Sequence, residues 1–165
     1  MSTAVRTGGK SSEKGSAAVE FALGAMVMVF AFTGIFQYGY SFYQYSLLET
    51  AVHQAAIYGG QEAFPSTAAS GSNITSCYAT RIKNMAIYGN PNGGTKSLLP
   101  GLGTSNITVN MAASSGTPSQ VTVMISSFTL NGVMGSTTLT NKPQATMPYT
   151  GRWATVGDPA ATACP

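Results

Sequence analysis

Glu20 stands at the mouth of an uncharged stretch: from Phe21 to Leu48, 28 residues, the chain carries no Asp, Glu, Lys or Arg. A carboxylate at the edge of such a run needs a reason, and the other reactive side chains narrow what that reason can be. His53 is the single histidine, and Glu49 four residues before it makes a pair on one helix surface the plain reading, ahead of any metal or acid-base role. Cys77 and Cys164 are too far apart, with one histidine between them and the N-terminus, to form a four-ligand zinc site by local spacing. There is no GxSxG, no phosphate-binding glycine loop and no HExxH. No catalytic group, metal or cofactor is expected, and an enzyme is the least favoured class of function.

The elements around Glu20 are therefore more informative than its chemistry alone. Only 8% of the 165 residues are charged, against roughly 25% in soluble domains. The length is about that of one domain, enough for a long helix and one small globular unit. Phe21 to Tyr43 is 23 residues, roughly 34 Å as a helix and sufficient for a hydrocarbon core of about 30 Å. A membrane span is expected there.

Charge sets the orientation. Arg6, Lys10 and Lys14 precede the apolar run with Glu13 alone against them, so the N-terminus should face the cytoplasm and the remainder the outside. Tyr38, Tyr40, Tyr43 and Tyr45 crowd the far end, either as an interfacial aromatic belt or as simple helix packing. A cleaved signal peptide fits poorly, because the run exceeds the usual 7–15-residue apolar region and leads into Gln-Tyr-Gly-Tyr, not a small-residue site. Arg81, Lys83, Lys96, Lys142 and Arg152 are scattered singly, which gives no footprint for nucleic acid.

Beyond Tyr43 the residues Leu47, Leu48, Ala51, Val52, Ala55 and Ala56 recur at helical spacing, with polar residues between them. The pattern predicts one helix from Ser16 to Tyr58, with a membrane half over 21–43 and an amphipathic half over 44–58, stopped by Gly59-Gly60. A short helix is expected over Ser76–Tyr88, ended by Gly89-Asn90-Pro91. Strands are expected over Asn106–Ala112, Gln120–Leu130 and Thr137–Tyr149. The last is weakened by Pro143 and Pro148, as an edge strand or two short pieces. Gly-Thr-Pro-Ser and Asn-Gly-Val-Met-Gly read as the hairpin links. The fold class is α+β: a long N-terminal helix packed on a small antiparallel sheet, with one short second helix.

Both cysteines fall in the part expected to face an oxidising compartment. A Cys77–Cys164 disulfide would close about 88 residues and contribute roughly 4 to 5 kcal/mol before strain. Two unpaired thiols are the alternative. Asn73-Ile-Thr and Asn106-Ile-Thr match a short glycosylation pattern that carries meaning only in a eukaryotic secretory route.

Glu20 now has a specific setting: a basic leader, Gly15, then Ser16-Ala17-Ala18-Val19-Glu20-Phe21 and the long apolar helix. A cut after Gly15 would make Glu20 the fifth residue and Phe21 the sixth. This resembles the processing motif of type IV pilin-like proteins. The string GSAAVEFAL, followed by GIFQYGYSFYQYSLLETAVHQAAIYG, is similar to the TadE-like pseudopilins of the tight-adherence (Flp/Tad) pilus system over about residues 15 to 60. The resemblance implies a cytoplasmic leader over 1–15, cleavage between Gly15 and Ser16 by a prepilin peptidase, and an amine on Ser16 that such peptidases often methylate. It also implies that Glu20, with Phe21 beside it, serves assembly by pairing with the amine of a neighbouring subunit. The plain alternative for Glu20 is a carboxylate that favours the helix dipole and snorkels to the interface.

As a whole, the resemblance implies an inner-membrane, single-pass minor pilin subunit, with residues 61–165 as an external periplasmic domain. Its partners would be the peptidase, other pilin or pseudopilin subunits, the pilus assembly machinery and membrane lipid. The runner-up is an uncleaved membrane anchor with a partner-binding external domain. Gly34 and Gly39 offer close helix approach but lack the GxxxG spacing.

Overall fold

A computed structural model of the chain describes residues 11–65, 71–72, 77–114, 117–132, 135–151 and 153–154. It divides into two compact units, Met1–Gly39 and Tyr40–Pro165. The architecture is α+β, with a long N-terminal apolar helix, small antiparallel sheets and a second short helix.

Helix α1 runs over Ser11–Gln61. No proline interrupts the sequence before Pro65, and isolated glycines lower helix propensity without ending a helix held by other forces. In the second unit the expected stripe is the buried one: Leu48, Ala51, Val52, Ala55 and Ala56 are all in the core, while Glu49, Thr50, His53 and Gln54 are exposed.

Strands β1 (Phe64–Pro65) and β2 (Gly71–Ser72) come next, then helix α2 over Cys77–Tyr88. Tyr78, Ala79, Ile82, Ala86 and Ile87 bury one face of α2, and Gly89 at φ 69° ends it in the left-handed region that glycine tolerates. A single 3-10 turn over Thr104–Asn106 leads into β3 (Ile107–Ser114) and β4 (Thr117–Ile125). The remaining strands are β5 (Ser127–Asn131), β6 (Ser136–Thr140), β7 (Gln144–Pro148) and β8 (Trp153–Ala154).

One sheet has the order β2-β3-β4-β7 and is antiparallel throughout. Its register sets Ile107 opposite Ile125, Val109 opposite Val123 and Met111 opposite Val121, with Ala145 beside Val123. All seven are buried, so the period-2 alternation delivers one apolar face to the core shared with α1 and α2. Ribbon β5–β6 is a separate two-stranded sheet, and β1 pairs with β8 in parallel, a pairing that the sequence pattern does not announce.

Three sequence expectations need correction. Gln120–Leu130 is not one strand: it breaks at Ser126, whose N–H donates to Asn106 and whose carbonyl accepts from the Asn141 N–H. Thr137–Tyr149 breaks opposite it, at Asn141 (φ 56°) and the cis Lys142–Pro143 bond, so β4–β5 and β6–β7 form one long hairpin with a shared irregularity. Two residues lie between the register pairs on one arm and three on the other, which is a bulge.

The second correction is at Gly-Thr-Pro-Ser. It is not a free link, because Thr117 already opens β4 and Pro118 sits across from Ala113 at a second bulge.

The third correction concerns Gly59-Gly60. The pair does not stop α1, which continues to Gln61. A Cβ on Gly59 would come within 2.8 Å of Ile82 Cδ1, and one on Gly60 within 2.9 Å of the Pro148 carbonyl oxygen. These glycines let α2 and β7 close on the helix.

The end of α1 is capped by tertiary bonds. The last helical bond runs from Glu62 N–H to Tyr58 O at 2.9 Å; beyond it the Tyr78 hydroxyl donates to Gly59 O at 2.6 Å and Thr150 N–H to Gly60 O at 2.8 Å. The Tyr149 hydroxyl reaches Glu62 O at 3.0 Å. Carbonyls that a helix end leaves without intrahelical partners are thus satisfied by groups from α2 and the segment after β7.

This packing sets the expected cost of small substitutions. Gly60→Ala should destabilise the full chain by about 1–3 kcal/mol, since the added carbon meets backbone. Gly59→Ala should cost less, because the Ile82 tip can turn aside and alanine returns about 1 kcal/mol of helix propensity; unfolding midpoints in detergent measure both. Burial first, and then the Glu62 carboxylate, raise the Tyr58 hydroxyl from 10.0 to about 12, and burial drives Tyr78 up as well. Both phenols are held neutral by the fold, so their contribution is intact below about pH 10; the Tyr58 part should be lost as pH rises toward about 12, and the Tyr78 part, raised further, goes on falling above that. Near-ultraviolet circular dichroism across that range, with Tyr58→Phe shifting the loss, provides the measurement.

Candidate functional site

The sequence singles out Gly15, Ser16, Glu20 and Phe21, and all four lie exposed on α1. Glu20 is one turn beyond Ser16, so a group on the Ser16 nitrogen and the Glu20 carboxylate share one side of the helix. Phe21 is 78% exposed, and Val27, Phe30, Ile35 and Phe36 after it are also turned outward. Among the described residues, one helix is long and apolar enough to cross a membrane, and it is this one. Its Thr33 hydroxyl is internally satisfied, donating to Val29 O at 2.7 Å.

Charge pairing separates Glu20 from the other carboxylate of interest. Glu62 accepts from Arg81 Nη1 at 2.7 Å, in a partly buried pair, and this is the one ion pair among the described residues. Glu20 has no such partner among them. The helix start also differs from expectation: α1 already runs through Gly15 and Ser16 from Ser11. An added Cβ at Gly15 would meet nothing within 4 Å. The fold gives no reason for glycine there.

Other candidates resolve differently. Glu49 and His53 are both exposed on α1, one turn apart, without an ion pair between them among the described residues. No group of three or more His, Cys, Asp or Glu is placed to hold a metal among the described residues. Cys77 is half-buried at the start of α2, whereas Cys164, and with it the predicted bridge, lies outside the described residues. Asn73 lies outside them as well.

Asn106 is a structural residue. Its Oδ1 accepts from Gly103 N–H at 2.9 Å and its Nδ2 donates to Ser127 O at 2.6 Å, which fixes the turn before β3 to the start of β5. Sequence reasoning passed over Gln44, a polar residue only 6% exposed. Its place on the stripe, three and four residues before Leu47 and Leu48, was the available signal.

No curated protein and no solved structure matches the chain. A family model described as TadE-like protein matches residues 15–56. The matched segment begins at Gly15, contains Glu20 and the whole outward-facing apolar run, and ends within the buried stripe at Ala56. Over residues 15–56, about a quarter of its length, the chain is similar to the TadE-like protein family.

Proposed function

We propose that the chain is a minor pilin-like (pseudopilin) subunit of a tight-adherence pilus system, held in the bacterial inner membrane by α1 and assembled through it. One observation carries the reading: a carboxylate without an ion-pair partner among the described residues, exposed at the mouth of an outward-facing apolar helix, inside the TadE-like segment. A charge near lipid is costly alone and tolerable when paired. The partner is the N-terminal amine of a neighbouring subunit, created when a prepilin peptidase cuts between Gly15 and Ser16.

The open space around Gly15 supports that cut, because the requirement for a small residue then belongs to the peptidase and not to this fold. Residues 1–15 are the cytoplasmic leader, 16–60 the assembly helix and 61–165 the periplasmic domain, which contacts other subunits or the assembly machinery. The role is structural, not catalytic. A Cys77–Cys164 disulfide ties the C-terminal tail to α2 in that oxidising compartment.

A second reading, an uncleaved anchor with a partner-binding external domain, draws on the helix beginning at Ser11, upstream of the scissile bond. Fraying of a helix's first turns is cheap, so this observation favours the anchor only weakly.

Intact mass and N-terminal sequencing of the protein from its native membrane separate the two. The proposed function expects a start at Ser16 in the wild type and at Met1 in Gly15→Ala; a wild-type start at Met1 would leave the anchor. Glu20→Gln should be cleaved as the wild type is and yet be lost from assembled complexes, as read by co-purification with other pilin subunits. Retention of the Gln variant at wild-type levels would remove Glu20 from any assembly role.

A further inference from the structure

The globular unit carries an uncharged rim around the level of α1 where the apolar run ends. Tyr40 and Gln44 of α1, Leu99 and Pro100 of the loop after α2, and Phe128 and Asn131 of β5 line a shallow cleft of about 100 Å³. None of its lining residues is charged. Gln44 donates to Asn131 O at 3.4 Å, and its own amide oxygen has no partner among the described residues.

Beside the cleft, Leu98 is 44% exposed, two residues before the exposed Pro100 and two after the exposed Lys96. Its exposure is built into the loop. Leu98 N–H donates to Ile87 O at 2.7 Å, the Ser97 hydroxyl donates to Leu99 O at 2.7 Å, and Leu99 and Leu102 on either side of Pro100 are buried anchors.

An outward leucine beside a lysine, over an uncharged cleft, matches the chemistry of a bilayer interface. Apolar side chains enter the glycerol layer there, while an ammonium on a long stem stays among the phosphates. From Gly89 to Asn141, the stretch that supplies the loop and the ribbon, Lys96 is the single charged residue, so nothing in it repels an anionic surface. Tyr40 lines the cleft and is half-exposed, and Tyr43, three residues further along α1, is exposed as well.

We propose that the Lys96–Pro100 loop, together with Tyr40 and Tyr43, is a membrane-contact surface. It rests in the headgroup and glycerol layer of the bilayer that α1 crosses, with the upper part of a phospholipid chain seated in the cleft. This rests on the reading of the apolar half of α1 as a membrane span.

The test uses the full chain in nanodiscs of phosphatidylethanolamine and phosphatidylglycerol, with and without bromine on the upper acyl chain. Single tryptophans are introduced in a Trp153→Phe background, and unchanged unfolding midpoints establish that each variant is folded. Phe30→Trp reports on the span. Gln120→Trp, on β4 opposite Pro148 and so level with Gly60, reports on a point about 24 Å along α1 from Gln44.

Leu98→Trp is expected to lose emission in brominated lipid as Tyr43→Trp does, while Gln120→Trp keeps its emission. Leu98→Trp behaving like Gln120→Trp, with Phe30→Trp quenched, would overturn the membrane contact, leave the span intact and assign the loop to a protein neighbour or to water. An unquenched Phe30→Trp would overturn the span and this proposal with it.

Discussion

The burial of the Leu48, Val52, Ala55 and Ala56 stripe is the interaction on which the remainder of the second unit depends. A sheet with one apolar face and a short helix with another have little to gain alone, and α1 is the surface that both can cover. Leu48 and Val52 are fully buried, each worth about 1.5–3 kcal/mol relative to exposure. The alanines contribute in another way. At Ala51, Ala55 and Ala56 the side chain is small enough for the layers above to approach, and Gly59 and Gly60 continue that trend to the point where a methyl would meet Ile82 or the Pro148 carbonyl. Side-chain volume along this face falls from Leu48 to Gly60.

That taper explains why the helix end carries so many tertiary bonds. With Pro148 O so near Gly60, water has little access to the last carbonyls of α1, and an unmet buried carbonyl costs about 1–3 kcal/mol. Tyr78 and Thr150 fill those places, and Tyr149 does so for Glu62. The same crowding raises the Tyr58 and Tyr78 hydroxyls, so close packing, capping and the neutral phenols share one physical cause.

Periodicity identified the second half of α1, α2 and the inward residues of β3 and β4, because each of these buries one face and exposes the other, whereas the first half of α1 was legible from the length and lack of charge of its apolar run. It did not identify the break at Ser126, whose determinants are the long-range partners Asn106 and Asn141. Nor did it distinguish Gly59-Gly60 as a site of close approach from a helix stop. Glycine satisfies both, and only the position of Ile82 and Pro148 decides between them. The parallel β1–β8 pair joins two-residue segments far apart in the chain, too short for any pattern to register. Gly15, Ser16, Glu20 and Phe21 lie close together along one helix, so their proximity was legible in the sequence and needs no tertiary contact.

The two carboxylates at opposite ends of α1 show what the chain can and cannot settle by itself. Glu62 is partly buried, and its charge is met within the unit by Arg81 at 2.7 Å. Glu20 has only exposed neighbours on a helix whose next 28 residues are free of charge. A carboxylate at the centre of a bilayer costs about 2.5–3.5 kcal/mol on insertion scales, and less near the edge. A lone Glu20 at the mouth of the span is therefore tolerated but not stabilising, unless a cation comes to it. Fold stability gives no reason for an acidic residue at this position, just as it gives none for glycine at position 15. When two neighbouring positions of one helix are both left unexplained by the fold that contains them, the explanation belongs to molecules that meet the helix there. Under the proposed function, a peptidase that requires the glycine and a neighbouring amine that pairs with the carboxylate would account for both positions together.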